Sequence, residues 1–435
     1  MSSRACRATR VNDVNWEQIA RGTEGLGVTL GVDVGKFDVL VVCRWAAGRF
    51  ERPWRIKNPW EIATLVALVR QVKADRRLVV AMESSGTYGD ALRQALGDNG
   101  IEVQRVNGKA AHDYAEVFDG VPSQHDGKDA AVVAELAALG KSKPWEYQPT
   151  DAWEQELTYW VEDMVAQRQM LTIWQGRLEG LLARHWPEAS QVLKLSSGTL
   201  LRILKRYGSP QALARDAEAA KQLARWGRSL LSPEKIERLL AGARSSVGVR
   251  VGEWERRQIG DYAEQALASR REVARAERRL RHLAVGHPVL QAQGKVVGVP
   301  TACVLWVSTG DPREFDSAAA YRKAMGLNLV ERSSGTYQGA LRISKRGSAR
   351  ARQWLYFAAL RLVQKCGVRP WYEAKKARDE GDARRVLVAV MRKLAVALYH
   401  VGVRNEEFQP RRLFGRIGRS SGRSAKPSAS SQQRA

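Results

Sequence analysis

The stretch Val28-Thr29-Leu30-Gly31-Val32-Asp33-Val34-Gly35-Lys36-Phe37-Asp38-Val39-Leu40-Val41-Val42-Cys43 decides how this chain is read. Two apolar, β-branched runs, Val28–Val34 and Val39–Cys43, flank a tight turn at Gly35, the pattern of two strands joined as a hairpin. Downstream, Trp60 to Val72 has helical spacing, Leu78 to Met82 is a short buried strand, and Tyr88 to Leu96 is helical. Ile101 to Val106 makes another strand, followed by helical segments around Ala110–Phe118 and Lys128–Leu139. A βββαβαβα order predicts a mixed α/β sheet domain over residues 27–142. Residues 1–26 read as a short leader.

Acids stand at the ends of those strands. Asp33 sits at the end of the first, and Glu83 ends Leu78–Met82 just before Ser84-Ser85-Gly86. Asp126 and Asp129, three apart at a helix start, project from one helix face. Carboxylates so placed converge across a sheet surface and offer the hard oxygens that Mg²⁺ or Mn²⁺ prefers. Two such ions clamp the attacking and leaving oxygens of a phosphate. Each acid alone has a plainer reading. Asp33 caps a turn, Glu83 pairs with an arginine, and Asp126 is an N-cap. The shared topological position is what favours the joint one.

Past residue 142 the character changes. Residues 151–190 read as one long helix, with Trp153, Trp160 and Trp174 as core or interface residues at helical spacing. Short helices broken near Gly208-Ser209-Pro210 follow, and a second long helix, dense in Arg and Glu, runs from 251 to 285. The two suggest an antiparallel coiled-coil arm across 143–289. Residues 290–405 form a further, mainly helical unit, and 406–435 are a basic tail of disordered composition.

The chain carries 71 Lys and Arg against 46 Asp and Glu, a net +25 in 435 residues. Such an excess implies a polyanionic partner, nucleic acid first, because each phosphate neutralised releases condensed counterions. No apolar run approaches the roughly 20 residues that span a bilayer, so no membrane partner is expected. The amino terminus lacks the apolar core of a signal peptide. Cys6, Cys43, Cys303 and Cys366 have no ligand spacing and read as reduced thiols of a cytoplasmic protein. His112 and His125 have no ligand-spaced partner and read as structural or solvated.

The strongest basic cluster surrounds Ser333-Ser334-Gly335: Arg332, Arg342, Lys345, Arg346, Arg350 and Arg352. On the residues alone, a turn whose serines contact phosphate without attacking it has the advantage. Guanidinium groups fork onto phosphate oxygens whether or not a nucleophile is present.

These pieces resemble the DEDD transposases of the insertion-sequence 110 family, with its 1111 subgroup, described as bridge-RNA-guided recombinases. The matching segments are Gly31-Val-Asp33-Val-Gly-Lys36, Met82-Glu83-Ser-Ser-Gly-Thr-Tyr88 and Asp126-Gly-Lys-Asp129-Ala130. In the second half they are Tyr321-Arg-Lys-Ala-Met-Gly-Leu-Asn-Leu329, Ser333-Ser334-Gly335 and Arg342-Ile-Ser-Lys-Arg-Gly347-Ser-Ala-Arg350. Together they span more than half the chain in the family's order. Gln124 stands where a Lys is common, and Val297–Ala302 departs from the usual Pro-Gly-x-Gly.

The resemblance implies a RuvC-like (RNase H-like) first domain, a coiled-coil middle and a mainly α-helical transposase domain with a catalytic serine. Asp33, Glu83, Asp126 and Asp129 become catalytic metal ligands for Mg²⁺ or Mn²⁺, and Ser334 the nucleophile, with Ser333 and Ser344 as rivals. Lys36, Arg332, Arg342, Lys345, Arg346 and Arg350 become nucleic-acid contacts. It further implies donor and target DNA, a noncoding guide RNA, a dimer or tetramer, and a prokaryotic cytoplasm beside the nucleoid. The acids of one subunit and the serine of another would form a composite site. Two alternatives stay open on the residues: a metal-dependent nuclease or junction resolvase that hydrolyses DNA, and a non-catalytic nucleic-acid-binding scaffold.

Overall fold

The computed structural model describes residues 8–83, 86–119, 126–145, 151–331, 333–334, 337–339, 341–365, 367–379 and 381–414. The side chain of Asp126 lies outside the described residues, as do Arg332, Cys6, Cys366, His125 and the tail from 415 onward. The chain forms two compact units, Met1–Pro149 and Thr150–Ala435.

The first unit is built on a seven-stranded sheet. Its strands are β1 (Thr9–Arg10), β2 (Val28–Val34), β3 (Asp38–Trp45), β4 (Trp54–Lys57), β5 (Leu78–Glu83), β6 (Val103–Val106) and β7 (Ser142–Pro144), in the order β1-β4-β3-β2-β5-β6-β7. The expected hairpin is present: β2 runs antiparallel to β3 in an unbroken register from Val28↔Trp45 to Val34↔Val39. The strand β4 extends it antiparallel, while β5 and β6 join parallel on the other side.

Alternation assigns the two faces. Val28, Leu30, Val32 and Val34 point into a core that also takes Val39, Val41, Cys43, Val80 and Met82. This face is covered by helices α1 (Trp16–Ala20), α2 (Ile62–Asp75) and α3 (Asp90–Asp98). Along α2 the residues Ile62, Leu65, Val66, Val69 and Val72 recur at three and four and are buried. Each contributes about 1.5–3 kcal/mol. Trp60, read as part of this helix, precedes it and is exposed. The opposite face, with Leu40, Val42 and Ala81, receives α4 (Gly108–Asp119) and α5 (Asp126–Ala138).

Residues 9–20, read as leader, belong to the sheet unit. The strand β1 pairs with β4, Val11 and Trp16 are buried, and Trp16 stacks on Trp45 with ring centroids 5.7 Å apart. A buried tryptophan in a five-residue helix carries no periodicity for a sequence reading to find.

The second unit is organised by two long helices, α6 (Ala152–His185) and α12 (Glu253–Leu283). Arg279 pairs with Glu156 at one end and His185 lies 3.4 Å from Glu255 at the other, so they run antiparallel. On α12 the buried positions Ile259, Ala263, Ala266, Ser269, Val273, Ala276, Leu280 and Leu283 are spaced by threes and fours, a coiled-coil-like seam. Trp153, Trp160 and Trp174 are half-buried beside it, and the Trp153 indole donates to Leu283 O at 3.0 Å.

The single helix expected over 151–190 is broken at Trp186. Pro187 opens α7 (Pro187–Val192), has no N–H to continue the ladder, and pushes its predecessor out of the helical region. Four short helices, α8 (Gly198–Tyr207), α9 (Pro210–Arg215), α10 (Ala219–Gly227) and α11 (Pro233–Arg244), then pack on one end of the long pair.

The other end carries the carboxy-terminal core: α13 (Pro288–Val297), α14 (Val299–Thr309), α15 (Ala318–Ala324), α16 (Ala349–Lys365), α17 (Arg369–Arg378), α18 (Ala383–Arg404) and α19 (Pro410–Phe414). Between α15 and α16 rises a β-arm that helical periodicity did not announce. Its inner ladder pairs β8 (Leu329–Val330) with β11 (Arg342–Ile343), and its outer ladder pairs β9 (Ser333–Ser334) with β10 (Tyr337–Gln338). The helix α18 has no uninterrupted apolar run, because Arg384, Arg385, Arg392 and Lys393 break it. That helix is long and apolar enough by composition to span a bilayer, and here more than half of its apolar window is buried, as the central helix of this core.

Candidate active site

Strand register brings the acids together. Gly31 pairs with Ala81 and Val32 with Met82, so Asp33 and Glu83 are the next positions at the ends of adjacent parallel strands. Both lie two residues beyond Gly31 and Ala81, on the face covered by α4 and α5. Gly31 sets how closely α5 approaches: a Cβ there would stand 2.8 Å from Ala134 Cβ and 2.5 Å from Ala134 N. Asp129 lies one residue before Ala130, which packs against the same glycine.

The electrostatics record the convergence. Burial first, and the Asp129 charge second, push the Glu83 carboxyl above the usual carboxylate range, while His112 on α4 draws it back. His112, read as structural or solvated, therefore stands beside the acids. Gly108, the first residue of α4, leaves room for Glu83: a Cβ there would lie 3.1 Å from Glu83 Cδ and overlap a carboxylate oxygen. Lys128 is 4% exposed, and a lysine is almost never buried without a partner. Spacing alone could not find Gly108, because its role exists only once β5 and α4 are adjacent.

Asp126 opens α5, and its side chain lies outside the described residues. Among the described residues no three of His, Cys, Asp and Glu form a metal-holding group. The described donors, carboxylates with a neighbouring like charge and a glycine cradle, have the chemistry that suits a divalent cation. Lys36 is exposed in the β2–β3 turn, its Nζ 5.0 Å from the Phe37 ring centroid.

In the second unit, Ser333 and Ser334 are exposed on the outer ladder of the β-arm. Ser344 sits at the arm's base and is half-buried, its Oγ accepting from Arg346 N at 3.3 Å. The cations around them differ in state. Arg350 forms a two-pronged pair with Glu162, and Arg352 donates to Met325 O at 3.1 Å and Gly347 O at 2.9 Å. Arg342 and Lys345 line a cleft of about 820 Å³ with Lys375, Arg384, Arg385 and Arg392. Those four come from α17 and α18, more than thirty residues from the serine turn in sequence. Asp382 holds the start of α18, accepting from Arg384 N and Arg385 N at 2.9 and 3.0 Å. Lys345 has φ of 55°, a left-handed conformation that aims the chain back toward α16.

Neither described cysteine is part of this chemistry. Cys43 and Cys303 are buried and free, and burial pushes both thiols up to about 12.

Comparison with known proteins defines the class. Residues 30–187 match a transposase family model of the DEDD type, and residues 292–376 match the model "Transposase IS116/IS110/IS902 family". The chain is therefore a transposase, a protein that acts on DNA. More narrowly, it belongs to the IS110 family of insertion-sequence transposases. It is similar to an uncharacterized 43.6 kDa protein of insertion element IS110 from Streptomyces coelicolor. The two are 25% identical over 384 residues, which cover 86% of this chain and 94% of the relative.

Proposed function

We propose that this transposase is a site-specific recombinase that cuts and rejoins DNA through a covalent phosphoserine link, guided by a noncoding RNA. The observation that carries the reading is Glu83: its carboxyl is raised by burial and by Asp129 at the mouth of two parallel strands. The order of the central strands, β4-β3-β2-β5-β6 with β3 antiparallel to its neighbours, supports an RNase H-like, RuvC-type first domain.

Asp33, Glu83, Asp126 and Asp129 would hold Mg²⁺ or Mn²⁺. When bound, such an ion supplies charge stabilisation to phosphate oxygens and lowers the pKa of a coordinated hydroxyl. Ser334 Oγ attacks the scissile phosphorus and loses its proton. The bond from phosphorus to the leaving strand's oxygen breaks, and that oxygen takes up a proton. The serine–phosphate ester keeps the energy of the broken phosphodiester, and a second strand's hydroxyl reverses the step on a new partner. Arg342 and Lys345, with the cations of their cleft, neutralise charge that develops on the phosphate. A second subunit supplies the serine to the acids of the first, which fits a dimer or tetramer.

Trapping on a suicide DNA substrate tests the serine. Wild type yields a covalent adduct and Ser334→Ala yields none; an adduct of wild-type yield from Ser334→Ala overturns the assignment. Ser333→Ala and Ser344→Ala test the rivals in the same assay. Hydrolysis without an adduct would favour a junction-resolving nuclease. Sequencing of RNA that co-purifies with the chain tests the guide.

A further inference from the structure

The region between the two family matches, residues 188–291, is covered by neither, and it holds a cluster of arginines of its own. Helices α8, α10 and α12 enclose a groove of about 1430 Å³ there. Arg202, Arg206, Arg225, Arg228, Arg270 and Arg271 line it, and no carboxylate does. Its volume exceeds the roughly 300–1,000 Å³ of small-molecule pockets.

The charges are held in place rather than neutralised. Arg202 donates to Trp226 O at 3.4 Å, and Arg270 donates to Ser196 O. A carbonyl fixes a guanidinium and leaves its charge intact. Arg206 has only a loose approach to Asp216, at 3.9 Å. Among the described residues Arg225, Arg228 and Arg271 form no ion pair. Further along α12, by contrast, Arg275, Arg279 and Arg281 each have a carboxylate partner. At the groove the one nearby carboxylate of this helix, Glu264, pairs with Lys205 and only adds a longer-range attraction to Arg271, so the lining keeps an excess of positive charge. Half-buried Trp226 and Leu267 give the groove an apolar wall, and Leu230 stands 88% exposed on its lining. Arg228 adopts φ of 47°, in the left-handed region that arginine rarely takes, at the end of α10.

We propose that this groove is a second nucleic-acid site, binding the phosphodiester backbone of a duplex or hairpin independently of the strand-cutting residues. Convergent arginines without acids repel one another unless a polyanion lies among them, and release of that polyanion's counterions drives binding.

The test uses the full chain without divalent metal, so that no strand is cut. Fluorescence anisotropy measures binding of duplex DNA, an RNA hairpin and their single strands across salt concentrations. The triple variant Arg225→Ala, Arg228→Ala, Arg271→Ala is compared with wild type and with a control, Lys221→Ala, Lys235→Ala, Arg244→Ala, outside the groove. Three lost phosphate contacts lower the slope of log affinity against log salt by about 2–3. That loss on duplex DNA names DNA as the occupant, and the same loss on the hairpin names RNA. Lysine at the same three positions restores most of the slope, which separates lost charge from lost fold. A triple variant indistinguishable from the control on every probe overturns the proposal. The Ser334 adduct, scored at saturating protein, reports on the recombinase reading separately.

Discussion

Replacing Gly31 by alanine tests whether sheet–helix contact assembles the acidic site. Gly31 does not have a left-handed backbone, so alanine meets no conformational penalty, and in a strand it would ordinarily gain about 0.5–1 kcal/mol over glycine. The space decides otherwise. The new Cβ would sit 2.8 Å from Ala134 Cβ and 2.5 Å from Ala134 N, and still closer to Ala130 O. Carbon atoms rest at about 3.5–4.0 Å, so α5 must retreat by roughly 1 Å. Two of the three obstacles are backbone, and no side-chain rotation relieves them. Overpacking of this kind costs about 1–3 kcal/mol. The retreat also loosens Val132, Val133, Leu136 and Ala137 against Ala81 and Val106. A net loss of about 2 kcal/mol lowers the melting temperature of a unit this size by about 4–8 °C. Hydrogen exchange on β2 and α5 peptides, with calorimetry of the full chain, reads the effect. Strand exchange should fall as well, because Asp129 moves with α5. If Gly31→Ala keeps exchange protection and melting within error of wild type, the close packing argued for α5 is wrong.

Gly108→Ala removes no proposed ligand yet displaces the Glu83 carboxylate. It should weaken divalent-metal dependence by about 10–100-fold, as loss of a supporting group does, with partial recovery at high Mg²⁺. An unchanged Mg²⁺ titration of strand exchange would refute that. Gly176→Ala and Gly180→Ala, on α6 with open space around each, should stabilise the second unit by up to about 1 kcal/mol each; calorimetry that shows a loss would contradict the open geometry. His287 titrates below its ordinary value because of burial first and Arg313 second, with Asp311 opposing. The unfolded chain therefore binds its proton more readily. The stability this residue gives is full above about pH 6.5 and is lost as pH falls from there through the folded value. Melting followed from pH 7.5 to 5 should decline less in His287→Asn, which keeps a cap for α13 without titrating. An equal decline would mean that stacking of the charged ring on Trp153, at 4.8 Å, offsets its burial.

Different physical signals made the two halves of the site legible to different degrees. The hairpin, β5 and the helix opened by Asp126 follow from period and apolar runs, so Asp33 and Glu83 are legible in the sequence as strand-end acids and Asp129 as an acid at a helix start. What that reading lacked was the third dimension. Gly108 and His112 join Glu83 only through the packing of α4 against β5. The break at Trp186-Pro187 was visible in the proline, yet the tryptophan and leucine periodicity ran through it and outweighed it. The β-arm is the clearest miss, since two-residue ladders are too short to alternate detectably.

The arm also explains why the serine rests on less than the acids do. A carboxylate at a strand end is positioned by the sheet beneath it, and for Glu83 burial and the Asp129 charge together raise the carboxyl above its usual range. Ser334 is exposed on a short outer ladder, and no described group activates it within its own unit. A nucleophile of that kind needs its base, metal or phosphate brought to it. On the proposed reading the hydroxyl would stay inert in the free protein and become reactive only on assembled DNA, which would keep the enzyme from cutting alone. Charge placement supports the same division of labour. Arg350 and Arg352 are spent on holding α16 and the turn at Gly347, whereas Arg342, Lys345, Arg384 and Arg385 face an open cleft at the base of the arm. Binding energy gathered there would position the phosphate before the serine is committed, so that specificity precedes chemistry.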